Sequence, residues 1–211
     1  MKTVFPEING LGHDCYVHAL KVSPDGRWLA SADEDSVILW RTDDGSIVKD
    51  WNAPFFIELG FTSESRHLVI FCSDRLVVRD MEDPCMCESV TRVPLRREDS
   101  TGNTCVWSPD RTLCALSGWG AHSNRNVFHI RIYITETAKA LSCYQLCSSG
   151  RGPAWSLCPT FSHDNRWLLF TCNYTEYASE SVSWIWDIYS TAPPRKLMNH
   201  GTAVWRSIFN P

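Results

Sequence analysis

Ser23-Pro24-Asp25-Gly26-Arg27-Trp28-Leu29-Ala30 is the stretch on which the reading of the fold turns, because it returns three times with drift. It comes back as Thr62-Ser63-Glu64-Ser65-Arg66-His67-Leu68-Val69, as Ser108-Pro109-Asp110-Arg111-Thr112-Leu113-Cys114-Ala115, and as Ser162-His163-Asp164-Asn165-Arg166-Trp167-Leu168-Leu169. Each copy is a turn followed by the start of an apolar strand. Proline presets φ at a turn's second position, and Asp, Asn or Gly tolerate the conformation that follows. Counted from positions 23, 62, 108 and 162, the copies recur at intervals of 39, 46 and 54 residues. The first two match the length of a four-stranded repeat unit. The third is stretched, and its excess belongs in loops.

Within each copy the same order of strands can be read. The first gives Val17–Val22, Trp28–Ser31, Val37–Trp40 and Ser46–Trp51, with Asp43-Asp44-Gly45 as a tight turn before the last. The second gives Phe56–Phe61, Leu68–Cys72, Leu76–Arg79 and Met86–Val93. The third gives Cys105–Trp107, Leu113–Leu116, Phe128–Ile134 and Ala140–Leu146, and the fourth Leu157–Phe161, Trp167–Cys172, Val182–Ile188 and Lys196–Met198. No stretch holds a helical period.

The bulk numbers exclude several classes. With 44% hydrophobic and 21% charged residues in 211, the chain is of ordinary globular composition. A net charge of −4 offers nothing to phosphates, and the one adjacent basic pair, Arg96-Arg97, is followed at once by Glu98-Asp99. Nucleic acid is therefore not an expected partner. The first twenty residues are broken by Pro6, Glu7, Gly10, Gly12, His13 and Asp14, and no run approaches a membrane span. The expectation is an intracellular protein, cytoplasmic or nuclear, with no membrane partner and its ten cysteines reduced.

Further signatures bear a family resemblance. Gly12-His13 opens the first copy; Trp40-Arg41 ends its third strand and Trp186-Asp187 that of the fourth, while Arg79-Asp80 and Tyr133-Ile134 stand at that place in the second and third. In these features the chain resembles the WD-repeat β-propeller family over nearly its whole length. The resemblance implies an all-β fold, a partial (open) WD-repeat-like β-propeller of four four-stranded antiparallel blades. The blades fall at about 13–52, 54–93, 103–147 and 154–199, in one partial propeller over 1–211. It also implies a structural hydrogen-bonded tetrad in the first blade, formed by His13, Ser31, Asp35 and Trp40, with Asp33 as the alternative acid.

The end of the chain repeats the beginning of a copy. His200 precedes Val204 by four residues and Asn210 by ten, the intervals from His13 to Val17 and to Ser23. Residues 200–211 thus read as the first strand of a fifth blade, and Thr3–Phe5 as the outer strand of a preceding one. The two strands needed between them for closure are missing, which reads as a fragment of a larger propeller or as a partial propeller completed by a partner. Open edges invite self-association, with Val204–Phe209 the expected site.

Chemistry is sparse. There is no G-x-S-x-G, phosphate loop or H-E-x-x-H. Cys85 and Cys87 are spaced too closely for a structural zinc pair, and Cys143 and Cys147 share a strand face as packing residues. No metal, cofactor or catalytic residue is expected. The long connections carry a candidate binding rim of Arg96, Arg97, Trp119, His122, Arg125, Arg151, Tyr174 and Tyr177, aromatic and Arg side chains being the types that dominate interfaces. The function expected is a non-catalytic scaffold binding a protein or peptide; the alternative is a fragment of a propeller attached to a serine hydrolase.

Overall fold

Among the described residues the strands form four meandering sheets. The computed structural model describes residues 12–54, 56–72, 75–83, 88–92, 104–122, 125–147, 159–174, 180–200 and 208–209. The first sheet is β1 (Ala19–Val22), β2 (Trp28–Ala32), β3 (Ser36–Arg41) and β4 (Ile47–Asn52), and the second β5 (Phe56–Phe61), β6 (His67–Cys72), β7 (Arg75–Asp80) and β8 (Glu88–Arg92). The third is β9 (Thr104–Trp107), β10 (Leu113–His122), β11 (Arg125–Ile134) and β12 (Lys139–Cys147), and the fourth β13 (Thr160–Phe161), β14 (Trp167–Tyr174), β15 (Glu180–Asp187) and β16 (Arg195–His200). Every sheet is antiparallel with its strands in chain order, and no helix occurs among the described residues. No helix is therefore long and apolar enough to cross a membrane.

The repeated octet forms the same turn four times. The fourth turn residue donates its N–H to the carbonyl of the first: Gly26 to Ser23, Ser65 to Thr62, Arg111 to Ser108 and Asn165 to Ser162, at 2.9–3.0 Å. That fourth position lies in the left-handed region every time, at φ 75° for Gly26, 59° for Ser65, 61° for Arg111 and 58° for Asn165. The first residue's hydroxyl then accepts the N–H that opens the second strand, from Trp28, His67, Leu113 and Trp167 at 2.9–3.1 Å. In three copies the Asp reinforces the turn, accepting the hydroxyl proton of Ser23, Ser108 or Ser162. The Ser23 hydroxyl, with the Arg27 guanidinium, holds Asp25 down at about 2.

Alternation along the strands then sorts the side chains. Residues 1–93 form one compact unit, in which Ala30, Ala32, Val37, Leu39 and Trp51 of the first sheet meet Leu59, Phe61, Leu68, Ile70 and Val77 of the second. Lys21 reaches Glu58 at 3.4 Å, and the Asp25 N–H donates to Ser65 Oγ at 2.9 Å, so adjoining turns also touch. Residues 94–211 form the other unit, where Leu113, Ala115, Phe128, Ile130 and Ile132 pack against Phe161, Leu168, Phe170, Trp186 and Ile188. Both are sheet-on-sheet cores of interdigitating inner faces.

The residue closing each third strand has a definite job. Asp187 accepts from Arg166 at 2.8 Å and Asp80 forms an ion pair with Arg66 at 3.6 Å, tying the third strand's end to the second strand's start. In the first sheet that place is held by Arg41. Its counterpart Arg27 turns instead to Asp25 at 2.6 Å, and Arg41 pairs with Asp43 at 3.1 Å. Local ion pairs thus replace the cross-strand one.

Some expectations need correcting. Trp119–Asn126 is not a loop: β10 and β11 pair over ten positions, from Leu113↔Ile134 to His122↔Arg125. Glycine is depleted in strands, but Gly118 and Gly120 are held in the ladder opposite His129 and Val127. β14 likewise runs on to Tyr174, which pairs with Glu180. His200 is the last residue of β16, paired with Ser181, rather than the start of a fifth blade. Residues 201–207, and the expected strand Thr3–Phe5, lie outside the described residues.

The turn geometry yields a directional test. Arg111→Gly removes the left-handed penalty on a side-chain-bearing residue and is expected to stabilise the protein by about 1 kcal/mol, while Gly26→Ala costs about the same. A Cβ at Gly26 would meet nothing within 4 Å, so that cost is conformational. Urea denaturation of the two variants checks both signs.

Candidate functional site

His13 enters ahead of β1, Ser31 comes from β2 and Trp40 from β3, and the three converge on one face of the first sheet. The Trp40 indole N–H donates to Ser31 Oγ at 2.8 Å, and Ser31 Oγ lies 2.6 Å from His13 Nε2. An indole nitrogen can only donate, so Ser31 accepts there; the Asp33 carboxylate can only accept, which puts the hydrogen of the neutral ring on Nδ1 and leaves Nε2 to accept the Ser31 hydroxyl proton. His13 Nδ1 then carries hydrogen and faces Asp33 Oδ2 at 3.0 Å and Ser36 Oγ at 3.1 Å. The His13 and Asp33 side chains are both buried.

The acid is Asp33. Asp35 is exposed, and its part is played by the main chain: its N–H donates to Asp33 Oδ1 at 2.9 Å, joined by the Ser36 N–H at 2.6 Å. An Asp bonding the amides two and three residues on builds an Asx turn, and Asp33-Glu34-Asp35-Ser36 could have been read that way from sequence. Ser36, a second hydroxyl on the imidazole, was not foreseen. Burial pushes the Asp33 carboxyl up, but the Asp35 and Ser36 amides with His13 outweigh it and hold it at about 2.

Above this chain lies an apolar surface. Strand register aligns Val22, Leu29, Trp40 and Ile47 in one row across the first sheet, with Leu20, Ser31, Ile38 and Asp50 in the next. This is the face turned away from the second sheet. Tyr16 is 89% exposed, Leu20 61% and Val22 55%. A groove of about 510 Å³ runs between Val17, Leu20, Val22, Leu29 and Trp40, with His13 and Ser31 in its lining.

Four residues of the candidate rim lie within described strands. Trp119 and His122 lie in β10, Arg125 in β11 and Tyr174 in β14, at hairpin ends rather than in loops. Arg96, Arg97, Arg151 and Tyr177 lie outside the described residues. Among the described residues no cluster of His, Cys, Asp or Glu could hold a metal ion.

Removing the central hydroxyl should strand two partners. Ser31→Ala leaves the Trp40 N–H and His13 Nε2 without Oγ and is expected to cost about 2 kcal/mol, whereas Asp35→Ala should leave stability nearly unchanged in chemical denaturation. Asp33, whose carboxyl is depressed from 3.8 to about 2, contributes stability that is complete above about pH 4 and lost as pH falls through about 2. Asp33→Asn should flatten the acid limb of a stability–pH curve over that window.

Residues 6–41 match the family model for the WD domain, G-beta repeat. Among solved structures the chain is similar to the WD40 domain of Toxoplasma gondii coronin, with a TM-score of 0.61 at 15% identity over 92% of this chain and 47% of that one. It is similar to the fission yeast SREBP–SCAP binding domains, at 0.51 and 14%, over 90% of this chain and 50% of that one. The β-propeller domain of the Trilobed protease from Pyrococcus furiosus matches at 0.56 and 12%, over 88% and 58%. The chain therefore spans about half the length of these structures, and identities this low speak for the fold alone. No curated protein matches it in sequence. Residues 6–41 are a WD repeat, and the chain as a whole has the blade fold of the WD-repeat β-propellers.

Proposed function

We propose that the chain is a non-catalytic protein-interaction scaffold, a stretch of a larger intracellular propeller, with a protein or peptide as partner and with sheet edges that pair between copies. The observation that carries this reading is the outer face of the first sheet, where an uncharged row from Val22 to Ile47 is flanked by the exposed Tyr16, Val17 and Leu20. Uncovered apolar surface of this kind marks interaction sites. One structural neighbour is a complex between the binding domains of two proteins, which supports the same reading by analogy. The net charge of −4 argues against nucleic acid as the partner.

The Ser31–His13–Asp33 connectivity has the order of an acyl-transfer triad, and the groove beside it could admit an apolar acyl group. Three features speak for a structural role. Ser31 Oγ already accepts the Trp40 N–H, which engages one of its two lone pairs and draws electron density from the oxygen. Ser31 sits in mid-strand, with Leu20 and Ile38 opposite it in the ladder. An oxyanion hole requires N–H donors free to converge beside the nucleophile, and ladder pairing consumes strand amides. The likeness to a protease's propeller domain, at 12% identity, concerns the fold.

Two measurements test the proposal. A fluorophosphonate probe should leave Ser31 unlabelled by mass spectrometry, and labelling abolished by His13→Ala would turn the reading to a hydrolase. A photo-crosslinker at Leu20 in the native cellular setting should give discrete protein adducts that Val22→Lys removes; their absence would sink the scaffold reading for this face.

A further inference from the structure

Eight strands end the four sheets, and all but one of the longer ones carry charge along their length. β1, β9 and β13 have four residues or fewer. Of the rest, β4 carries Lys49 and Asp50, β5 Glu58, β8 Glu88 and Arg92, and β16 Arg195 and Lys196. Charged residues on an edge are a standard defence against pairing with another chain. β12 lacks it. It is the longest sheet-ending strand, at nine residues, and after Lys139 at its first position it reads Ala-Leu-Ser-Cys-Tyr-Gln-Leu-Cys without a charge. Among the described residues only β11 pairs with it.

The ground beside this strand is equally uncharged. A groove of about 550 Å³ opens between Leu141–Tyr144 of β12 and the turn from Ile188 to Pro193, with Trp186 on its floor. The Tyr144 and Trp186 rings stand 6.0 Å apart, tilted at 48°. Ser142 Oγ lines the groove, buried and without a hydrogen-bond partner. Cys143, on the opposite strand face, is exposed. A buried polar atom left unpaired is costly, and a strand laid along β12 brings polar main-chain groups to this place.

We propose that β12 is the edge through which two copies of this chain pair, antiparallel and centred on Cys143. The occupant is argued from the strand itself. Nine residues have Cys143 as their midpoint, so a two-fold antiparallel pairing that uses the whole strand sets Cys143 against its counterpart and Ser142 against Tyr144 of the other copy. The two Lys139 ammonium groups then fall at opposite ends of the joint, and no like charges face each other. Such a pairing consumes both edges and stops at two copies, as an isologous interface must. The inference rests on the self-association part of the proposed function and names its edge.

The experiment uses the whole chain. Sedimentation equilibrium should show a mass rising to twice that of the monomer with concentration. Diamide, which takes up the two thiol hydrogens as the sulfurs join, should link the chains through Cys143–Cys143, read by peptide mapping. Cys143→Ser should keep the dimer and lose the link. Cys143→Lys places like charges face to face and should leave a monomer, its fold checked by an unchanged thermal transition. Leu20→Lys, on the first sheet's outer face, should leave dimer and link intact, which separates failure here from failure of the scaffold reading. A monomer at every concentration, or a dimer that survives Cys143→Lys or dissolves with Leu20→Lys, overturns the proposal.

Discussion

The side-chain hydroxyl that opens each turn sets the phase of everything after it. Ser23, Thr62, Ser108 and Ser162 each accept the amide five residues on, so the first residue of the second strand is held at a fixed distance from the end of the first. Side chains alternate with period two, and a slip of one residue would turn every core group to the opposite face. Residues 30 and 32 reach the core shared by the first two sheets, and 113 and 115 the core shared by the last two. One short hydrogen bond, repeated four times, thus decides which side chains see water. The left-handed residue in each turn lets the hydroxyl reach that amide, and the fold tolerates its cost even where the residue is Arg111.

Much of this was legible because it is local. The turn motif spans eight residues and repeats, and the strands that follow it begin where apolar runs begin. Strand ends were harder to read. The outer halves of β10 and β11 carry Gly118, Gly120, Asn126 and His122, residue types whose local preference points to a loop, and only pairing across the hairpin makes them strands. The tetrad was legible to within one choice, since spacing brought out His13, Ser31 and Trp40 and left two acids. Asp33 prevails because an Asx turn needs its carboxylate beside the Asp35 and Ser36 amides, a geometric matter that counting residues from the histidine does not reach.

The four sheets also show how a repeat drifts without losing its shape. The ion pair joining the second and third strands survives as Arg166–Asp187 and Arg66–Asp80, and is rewired through Asp25 and Asp43 in the first sheet. In the third sheet Thr135 Oγ1 donates to the carbonyls of Arg111 and Thr112 at 2.8 and 3.0 Å. Exposed ion pairs contribute little stability individually, which lets the partners at these positions differ from sheet to sheet.

The meander order has a consequence for how the chain acquires its structure. Each sheet is written by one unbroken run of sequence, with every strand bonded to its neighbour in the chain. The loops that must close are short, and loop-closure entropy grows with length. A sheet can therefore gather its own strands as it leaves the ribosome, before the next has been synthesised. What it lacks at that moment is a second sheet against its apolar face, and the two cores lie between consecutive sheets. Folding by this route proceeds within each unit from its amino-terminal sheet, which waits exposed for the second. The interval between one repeat and the next sets how long nascent apolar surface stays within reach of chaperones.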